Sequence, residues 1–326
     1  MYKALKELSH GDVTAVLYKN SVLRNDTIKS LVKGNRMMYV TSDSVQPLWD
    51  VIPLFQGDVT TFDIALIMCQ YKRVHDLGKI LGRLVKQNFK GTFQLIIWNN
   101  NLEISEEVVK TCKPFIKQLN IELIHSSCNF YCGIRFAIKD LIKSKLMLII
   151  DDDIIPEEGY IKRFVDKYRE YGPRTVVSCR GHIFNHSSID EENPHQAWEN
   201  WDSPEFADQF MLREQQHEDC EVHFQHADCL LISKDVLEEV LSQYQIPRKD
   251  FILVDDYWLS FVLSHHMGVR LMRIKADDVM SMTESAEDKG VALYHNPKVH
   301  EQRVDFCIYH NRLNWPKSKP IDFPRN

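Results

Sequence analysis

The sequence has no long apolar run at its N-terminus, no Cys-x-x-Cys pair, no basic cluster, no internal repeat and no low-complexity segment. Its first residues, MYKALKELSHGDV, are charged and amphipathic, which is atypical of a signal peptide or a membrane anchor. Lys and Arg are scattered and the formal net charge is −6, which argues against binding to a nucleic-acid backbone. We therefore expect a soluble, cytoplasmic protein with no integral membrane segment and no nucleic-acid partner. The removal of a membrane stem from a longer chain would leave the same pattern.

Cysteine is too sparse for the disulfide framework of a small domain, with eight residues among 326. We expect these cysteines to be reduced thiols. The hydrophobic and charged fractions, 44% and 26%, are those of an ordinary soluble globular protein. The length allows one large domain with a smaller appendage.

The alternation of apolar segments predicts the fold. Residues 1–60 show no chemistry and are predicted to form an N-terminal extension or small subdomain, with a helix ending near residue 32 and a strand over 36–41. The strands predicted beyond it cover residues 63–69, 93–98, 121–124, 146–150, 175–179 and 227–233. The predicted helices cover 74–87, 104–119 with a kink at Pro114, 134–142, 157–171 and 235–242, and a last helix begins at Asp255. Alternating strands and helices predict an α/β fold with a mostly parallel sheet flanked by helices.

The segment LMLIIDDDIIP, residues 146–156, is the part of the chain most suggestive of chemistry. Five apolar residues suit a strand that is covered on both faces, and three aspartates follow at its carboxyl end. Ligands bind at that end in open α/β sheets. Asp151, Asp152 and Asp153 are thus candidates for a site that holds Mg²⁺ or Mn²⁺ and phosphate, because both cations prefer carboxylate oxygens. A solvated turn is the structural alternative.

A second acidic pair, Asp255 and Asp256, lies at a predicted helix start. Such a carboxylate can act as a general base that deprotonates an acceptor hydroxyl. Helix capping is the competing role for these residues. A metal site for a diphosphate and a separate base are together what sugar transfer from a nucleotide sugar requires.

These segments carry a resemblance that covers roughly residues 63–273. The order of strand, helix, strand, three asparagines, strand, helix and LMLIIDDD resembles the nucleotide-binding half of a GT-A (Rossmann-like) glycosyltransferase. The later HADCLLISKDVL and VDDYWLSFVL resemble its acceptor half. The nearest groups are the exostosin-like enzymes of glycosyltransferase family 64 and, more loosely, family 2. The resemblance implies a nucleotide-sugar half over 61–156 and an acceptor half over 157–326.

The resemblance also implies roles for individual residues around the donor. Asp151 and Asp153 would meet the metal, and Asp152 would lie near the ribose or the sugar. The remaining donor contacts would come from Gln70, Tyr71 and Arg73 in the turn after the first strand, from Asn100 and Asn101 after the second, and from Asn129 and Arg135 before the DDD strand. A plain turn remains the alternative for the two asparagines, and an exposed surface charge remains the alternative for Arg135.

On the acceptor side, Asp256 or Asp255 would be the catalytic carboxylate. The segment 226–228 departs from both families, which usually have small residues there, and Asp228 is a candidate sugar contact. His295, His300 and His310 compete as a further metal ligand, with a plain polar role as the alternative for each. Trp198 and Trp201, in an irregular segment over 181–225, are candidates for stacking on acceptor sugars or for loop core.

The resulting hypothesis is a metal-dependent hexosyl- or pentosyltransferase. Its cofactors would be Mn²⁺ or Mg²⁺ and a nucleotide sugar, with a UDP-sugar preferred, and its acceptor a glycan or glycoconjugate. Two alternatives stay open. A haloacid-dehalogenase-like phosphatase also places Asp-x-Asp after a buried strand, although Ile155 stands where that motif has Thr or Val. A non-catalytic sugar-binding domain would use the same acids structurally.

Overall fold

The computed structural model describes residues 36–40, 45–50, 53–54, 61–126, 129–183, 218–244, 253–311 and Trp315. The helix predicted to end near residue 32 and the two candidate stacking residues Trp198 and Trp201 lie outside this part of the chain. Within the described residues, no helix combines the length and the apolar character needed to cross a membrane.

Short segments supply the regular structure. The strands are β1 (Arg36–Val40), β2 (Val45–Asp50), β3 (Pro53–Leu54), β4 (Ile64–Gln70), β5 (Phe93–Asn99), β6 (Asn120–His125), β7 (Leu146–Ile150), β8 (Ile154–Pro156), β9 (Thr175–Ser178), β10 (Gly181–His182), β11 (Cys220–Glu221), β12 (Phe224–Gln225), β13 (Cys229–Ser233), β14 (Arg270–Arg273) and β15 (Met280–Met282). The α-helices are α1 (Val74–Val85), α2 (Ser105–Cys112), α3 (Ile134–Ala137), α4 (Tyr160–Tyr171), α5 (Lys234–Gln243), α6 (Asp255–Phe261) and α7 (Pro297–Asn311).

The central sheet joins nine of the described strands in the order β11-β14-β9-β13-β7-β4-β5-β6-β3. Parallel pairs form between β7 and β4, β4 and β5, β5 and β6, and β9 and β14. β13 runs antiparallel between β7 and β9, and the edge strands β3 and β11 are also antiparallel to their neighbours. The prediction of a mostly parallel α/β sheet is confirmed.

The apolar strands are buried on both faces, as their sequences predict. Alternate side chains of a strand point to opposite faces of the sheet. In β4, Ala65 and Ile67 belong to one core cluster, and Ile64, Leu66 and Met68 belong to the other. Helices cover both layers. In α1 the buried residues Leu77, Ile80, Leu81 and Leu84 follow the predicted helical spacing.

Three predicted helices are shorter or divided. The one predicted over 104–119 consists of α2 between two 3₁₀ turns, and the second turn contains Pro114, which has no N–H to continue an α-helix. The one predicted over 134–142 is α3 followed by the 3₁₀ turn Lys139–Leu141. α4 begins at Tyr160, because Gly159 has φ +90°, a left-handed conformation that does not continue into the helix.

The cysteine prediction is wrong for one pair, because Cys179 and Cys229 form a disulfide bond. Ser178, which precedes Cys179, and Leu230, which follows Cys229, are register partners in the antiparallel pair of β9 and β13. Cysteines opposite each other in such a pair have their Cβ atoms close together. The other described cysteines are free thiols: Cys69, Cys112, Cys132, Cys220 and Cys307.

Candidate active site

A cavity of about 490 Å³ opens at one edge of the central sheet. Tyr71 follows β4, Asn100 follows β5, Asp151 follows β7 and Arg180 lies just beyond β9. These strands run in one direction, so their carboxyl ends meet at this edge, where ligands bind in open α/β sheets. β13 runs the other way, which brings Asp228, the residue before it, to the same edge.

Most of the predicted site residues line this cavity. They are Tyr71, Arg73, Asn100, Asn129, Arg135, Asp151, Asp152, Asp153, Asp228, Asp255 and Asp256. Among the described residues, Gln70 and Asn101 are predicted site residues that do not line it. The Gln70 amide donates a hydrogen bond to Asp152 from behind the cavity wall, at 3.1 Å. The Asn101 side chain accepts a hydrogen bond from the N–H of Glu103 and caps the 3₁₀ turn there.

Asp152 connects the turn after β7 to the turn after β4. Its carboxylate accepts hydrogen bonds from Gln70 Nε2 at 3.1 Å, from the Tyr71 N–H at 3.1 Å and from Arg73 Nη1 at 2.9 Å. Burial raises the pKa of Asp152, although Arg73 and the Tyr71 N–H favour the carboxylate. Through these hydrogen bonds, Asp152 holds the two turns together.

Asp151 and Asp153 lie on either side of this connection. Arg135 Nη1 is 2.8 Å from Asp151 Oδ1, and Arg73 Nη1 is 3.3 Å from Asp153 Oδ2. Burial raises the pKa of Asp151 to about 8 and that of Asp153 to about 6, and neighbouring carboxylates, Asp228 among them, add to both shifts. The cavity therefore concentrates carboxylate oxygens whose negative charges repel one another, a setting that favours a bound cation.

Arg135 is the central cation of the site. It is only 4% exposed, so the surface-charge alternative is wrong. Nη1 donates to Asp151 and to the Ala227 carbonyl, both at 2.8 Å, while Nε and Nη2 donate to Asp255 at 3.3 and 3.4 Å. Burial opposes its charge, but Asp255 and Asp151 outweigh that effect and raise the pKa of Arg135 well above its ordinary value.

The second acidic pair begins α6, as predicted, but its two members differ. Asp255 is buried and paired with Arg135. Asp256 accepts the Tyr257 N–H at 2.9 Å through Oδ1, and Oδ2 lies 3.8 Å from His226 Nδ1. Burial raises the pKa of Asp256 to about 7, and the charge of Asp255 adds to the shift. Asp256 can therefore exchange a proton near neutral pH.

Asn100 and Asn129 also line the cavity. The side-chain oxygen of Asn100, Oδ1, accepts hydrogen bonds from the Trp98 Nε1–H at 3.0 Å and the Phe130 N–H at 3.1 Å. The side-chain nitrogen of Asn100, Nδ2, donates to the Tyr131 backbone carbonyl at 3.1 Å. Asn129 Oδ1 accepts the Tyr131 N–H at 2.7 Å, beside the positive φ of Tyr131, 56°. These amides fix the segment before α3 against β5.

Two of the candidate metal-binding histidines, His295 and His310, do not line the cavity. The His310 ring stacks on Phe306 at 3.8 Å and packs on Phe261 at 4.1 Å, a buried position that does not fit a ligand in the cavity. His295 lies 3.7 Å from Glu287, and the His300 side chain is outside the described part of the structure. Among the described residues, no group of three or more His, Cys, Asp or Glu side chains is arranged to hold a metal ion.

Several cavity residues were not predicted as functional, among them Arg180, His182, His226 and Arg303. Arg180 Nη1 pairs with Asp228 Oδ2 at 3.0 Å. Arg180 and His182 follow the predicted strand over 175–179, so the rule that ligands bind at the carboxyl ends of strands could have identified them. Arg303 comes from α7, at the far end of the chain, and has no local signal in the sequence.

Comparison with known proteins identifies the family of the chain. The family model described as glycosyl transferase family 2 matches residues 65–241. The chain belongs to glycosyltransferase family 2, and its fold is the GT-A fold that the sequence resembles. Membership in this family removes the basis for the phosphatase alternative. No curated protein matches the chain.

Solved structures are similar to this chain at low identity. The mannosyltransferase PcManGT from Pyrobaculum calidifontis, in complex with GDP-Man and Mn²⁺, is 14% identical with a TM-score of 0.52, over 81% of this chain and 68% of that one. TarS from S. aureus is 13% identical with a TM-score of 0.46, over 69% of this chain. This chain spans 37% of the length of that TarS chain.

Proposed function

We propose that the protein is a metal-dependent glycosyltransferase that moves a sugar from a nucleotide donor to a hydroxyl of a glycan or glycoconjugate. The observation that carries this proposal is one cavity lined by Asp151, Asp153 and Asp256, in which Arg135 joins Asp151 to Asp255, the neighbour of Asp256. Residues 61–156 would hold the donor and residues 157–326 the acceptor, while residues 1–60 are an extension.

The donor set fits a hard divalent cation. Mg²⁺ is usually held by one or two carboxylates together with substrate phosphates and water, so it needs no cage made of protein ligands alone. Asp151 and Asp153 would supply these carboxylates. The ion would neutralise the charge that develops on the departing diphosphate. The presence of Mn²⁺ and GDP-Man in PcManGT supports this assignment.

The donor groups would be contacted by residues on the β4 side of the cavity. Tyr71 and Arg73 would face the nucleotide and its phosphates, and Asn100 and Asn129 would shape the pocket for the base. A UDP-sugar is the preferred donor from the sequence resemblance. Because PcManGT holds GDP-Man, the donor panel has to include both nucleotides.

Asp256 would act as the base. It would take the proton of the acceptor hydroxyl as the acceptor oxygen bonds to the anomeric carbon and the bond from that carbon to the diphosphate breaks. A single displacement of this kind inverts the sugar configuration. Asp255 would stay paired with Arg135, while Asp256 would exchange the proton.

The test is nucleotide release from a panel of UDP- and GDP-linked hexoses and pentoses, with Mn²⁺, Mg²⁺ or EDTA and with glycan acceptors. We expect metal-dependent transfer, a loss of at least about a hundredfold in Asp153→Asn and Asp256→Asn, and no loss in Asp166→Asn, an exposed residue of α4. Sugar binding without metal or turnover would instead indicate a lectin-like domain. Full activity of Asp153→Asn would contradict the metal assignment.

A further inference from the structure

Two histidines form a chain that ends at Asp256. His182 Nε2 and His226 Nε2 are 2.7 Å apart, and His226 Nδ1 lies 3.8 Å from Asp256 Oδ2. All three residues line the cavity. They come from β10, from the residue after β12 and from α6, so no sequence motif joins them.

The pairing of β10 with β12 brings the two histidines together. β10 pairs with β12, and His182 is the register partner of Phe224. A Cβ on Gly181 would lie 2.7 Å from the Phe224 carbonyl oxygen, closer than real Cβ atoms approach, so the pairing requires glycine there. The Phe224 ring stacks on His182 and meets His226 edge-on at 4.8 Å, which fixes both imidazole rings.

The chemistry of the pair restricts its protons. A hydrogen bond between two Nε2 atoms requires that one carries the proton and the other accepts it. A carboxylate favours a protonated nitrogen opposite it, so the arrangement that fits Asp256 has the His226 proton on Nδ1 and His182 donating from Nε2 to His226 Nε2. Burial, together with Arg180, Arg303 and Arg135, lowers the pKa of His226 well below its ordinary value, which keeps the ring neutral.

We propose that His226 is a positioning residue that orients the Asp256 carboxylate toward the acceptor hydroxyl, and that His182 fixes the tautomer of His226. The inference rests on the proposed role of Asp256 as the base. A third group that orients a base is a recurring arrangement in active sites. The 3.8 Å contact is longer than a hydrogen bond, and such contacts often tighten when substrate binds.

Other charged groups also act on Asp256. Asp255 neighbours it on α6, Arg303 faces it from α7, and Arg135 acts on it from α3. His226 differs from these groups because it is neutral and acts through the direction of a single N–H. A test must therefore change the position of that donor and leave the charge of the site unchanged.

Asparagine and glutamine provide this test, because an Asn amide nitrogen lies near the position of a histidine Nδ1 and a Gln amide nitrogen near that of Nε2. We expect His226→Asn to retain kcat within about threefold and His226→Gln to lower it about 10- to 100-fold. The pattern reverses at the other ring, where His182→Gln retains activity and His182→Asn loses it. KM for the donor stays unchanged in all four variants.

The pH profile of kcat gives an independent measurement. Loss of a donor to ionised Asp256 moves the acid limb to higher pH in His226→Gln and leaves it in place in His226→Asn. The matched control is His266→Gln, an exposed histidine that stacks on Tyr244. Equal losses in both His226 variants, or none in either, would overturn the inference while leaving transfer by the native protein intact.

A measurement without substrate separates the inference from the proposed function. Nitrogen NMR of histidine-labelled protein reports which ring nitrogen carries the proton. We expect the Nδ1–H form for His226 and the Nε2–H form for His182, and the reverse assignment would refute the inference. Failure of the nucleotide-sugar panel would instead refute the proposed function.

Discussion

Arg135 reaches Asp255 across 120 positions of sequence, with its Nε 3.3 Å from Asp255 Oδ2 and both side chains buried. The same guanidinium lies 2.8 Å from Asp151. One planar cation therefore joins the carboxylate that follows β7 to the pair that begins α6. The fork of N–H groups of Arg135 thus ties the two acidic segments to each other.

Replacement of this cation should be costly for stability. We expect Arg135→Met to lower the free energy of unfolding by about 3–5 kcal/mol, because it leaves the buried Asp255 and the partly buried Asp151 without their Arg135 partner. The measurement is urea denaturation. The control is Arg163→Met, which removes a partly exposed pair with Asp278 and should cost less than about 1 kcal/mol. Equal losses in the two variants would show that burial of the Arg135 pair has no special energetic role.

Arg73 should control the order of residues 283–287, a segment that contributes to the cavity lining. It contacts Asp152 and also donates to the carbonyls of Ser285 and Ala286, both at 3.2 Å. In Arg73→Gln we expect faster amide hydrogen exchange over 283–287 and unchanged exchange in α4, because the cavity-side anchor of that turn is lost. Unchanged exchange over 283–287 would show that the turn is held by other contacts.

Sugar transfer should depend on a group with a pKa near 7. Burial raises the pKa of Asp256 to about 7, and the base works in its ionised form, so kcat/KM should fall about tenfold per pH unit below that value. Asp256→Glu should keep an acid limb, and Asp256→Asn should lose transfer. A limb near the ordinary carboxyl value of 3.8 would contradict this assignment.

The raised pKa of Asp256 also makes the stability of the protein depend on pH. The folded state holds the Asp256 proton more tightly than the unfolded state, so its contribution to stability is present below pH 3.8 and is lost as the pH rises toward about 7. Asp256→Asn should therefore flatten the pH dependence of unfolding over this window. Urea denaturation of both proteins at a series of pH values measures the effect.

The disulfide should stabilise the strand pair beneath the site. Cys179 and Cys229 are separated by 50 positions, and closing a loop of that length contributes about 2–4 kcal/mol. We expect Cys179→Ser to lower the urea midpoint and Cys112→Ser, a buried free thiol, to lower it less. Alkylation of the unfolded protein without reductant should leave Cys179 and Cys229 unlabelled, and labelling of both would contradict the bond.

Much of the part of the cavity formed by β4 and β7 follows from local sequence. The apolar runs of β4 and β7 are long enough for strands and too uniform for a surface position, which predicts their burial and places Asp151 at a carboxyl end. The apolar residues after Asp255 have helical spacing, which predicts that α6 begins at the acidic pair. These features depend on neighbours within a few residues, which the order of amino acids specifies directly.

The tertiary structure decided which side chains meet. Sequence periodicity is the same for either direction of a strand, so it did not reveal that β13 runs antiparallel and brings Cys229 opposite Cys179. The Arg135 bridge and the His182–His226 contact likewise join elements far apart in sequence. By itself, the sequence determined the fold class and the acidic segments, because both follow from local patterns. Only the packing of the chain decided which ion pairs and hydrogen bonds form around the acidic segments. These contacts depend on distances between residues far apart in sequence, which local patterns do not encode.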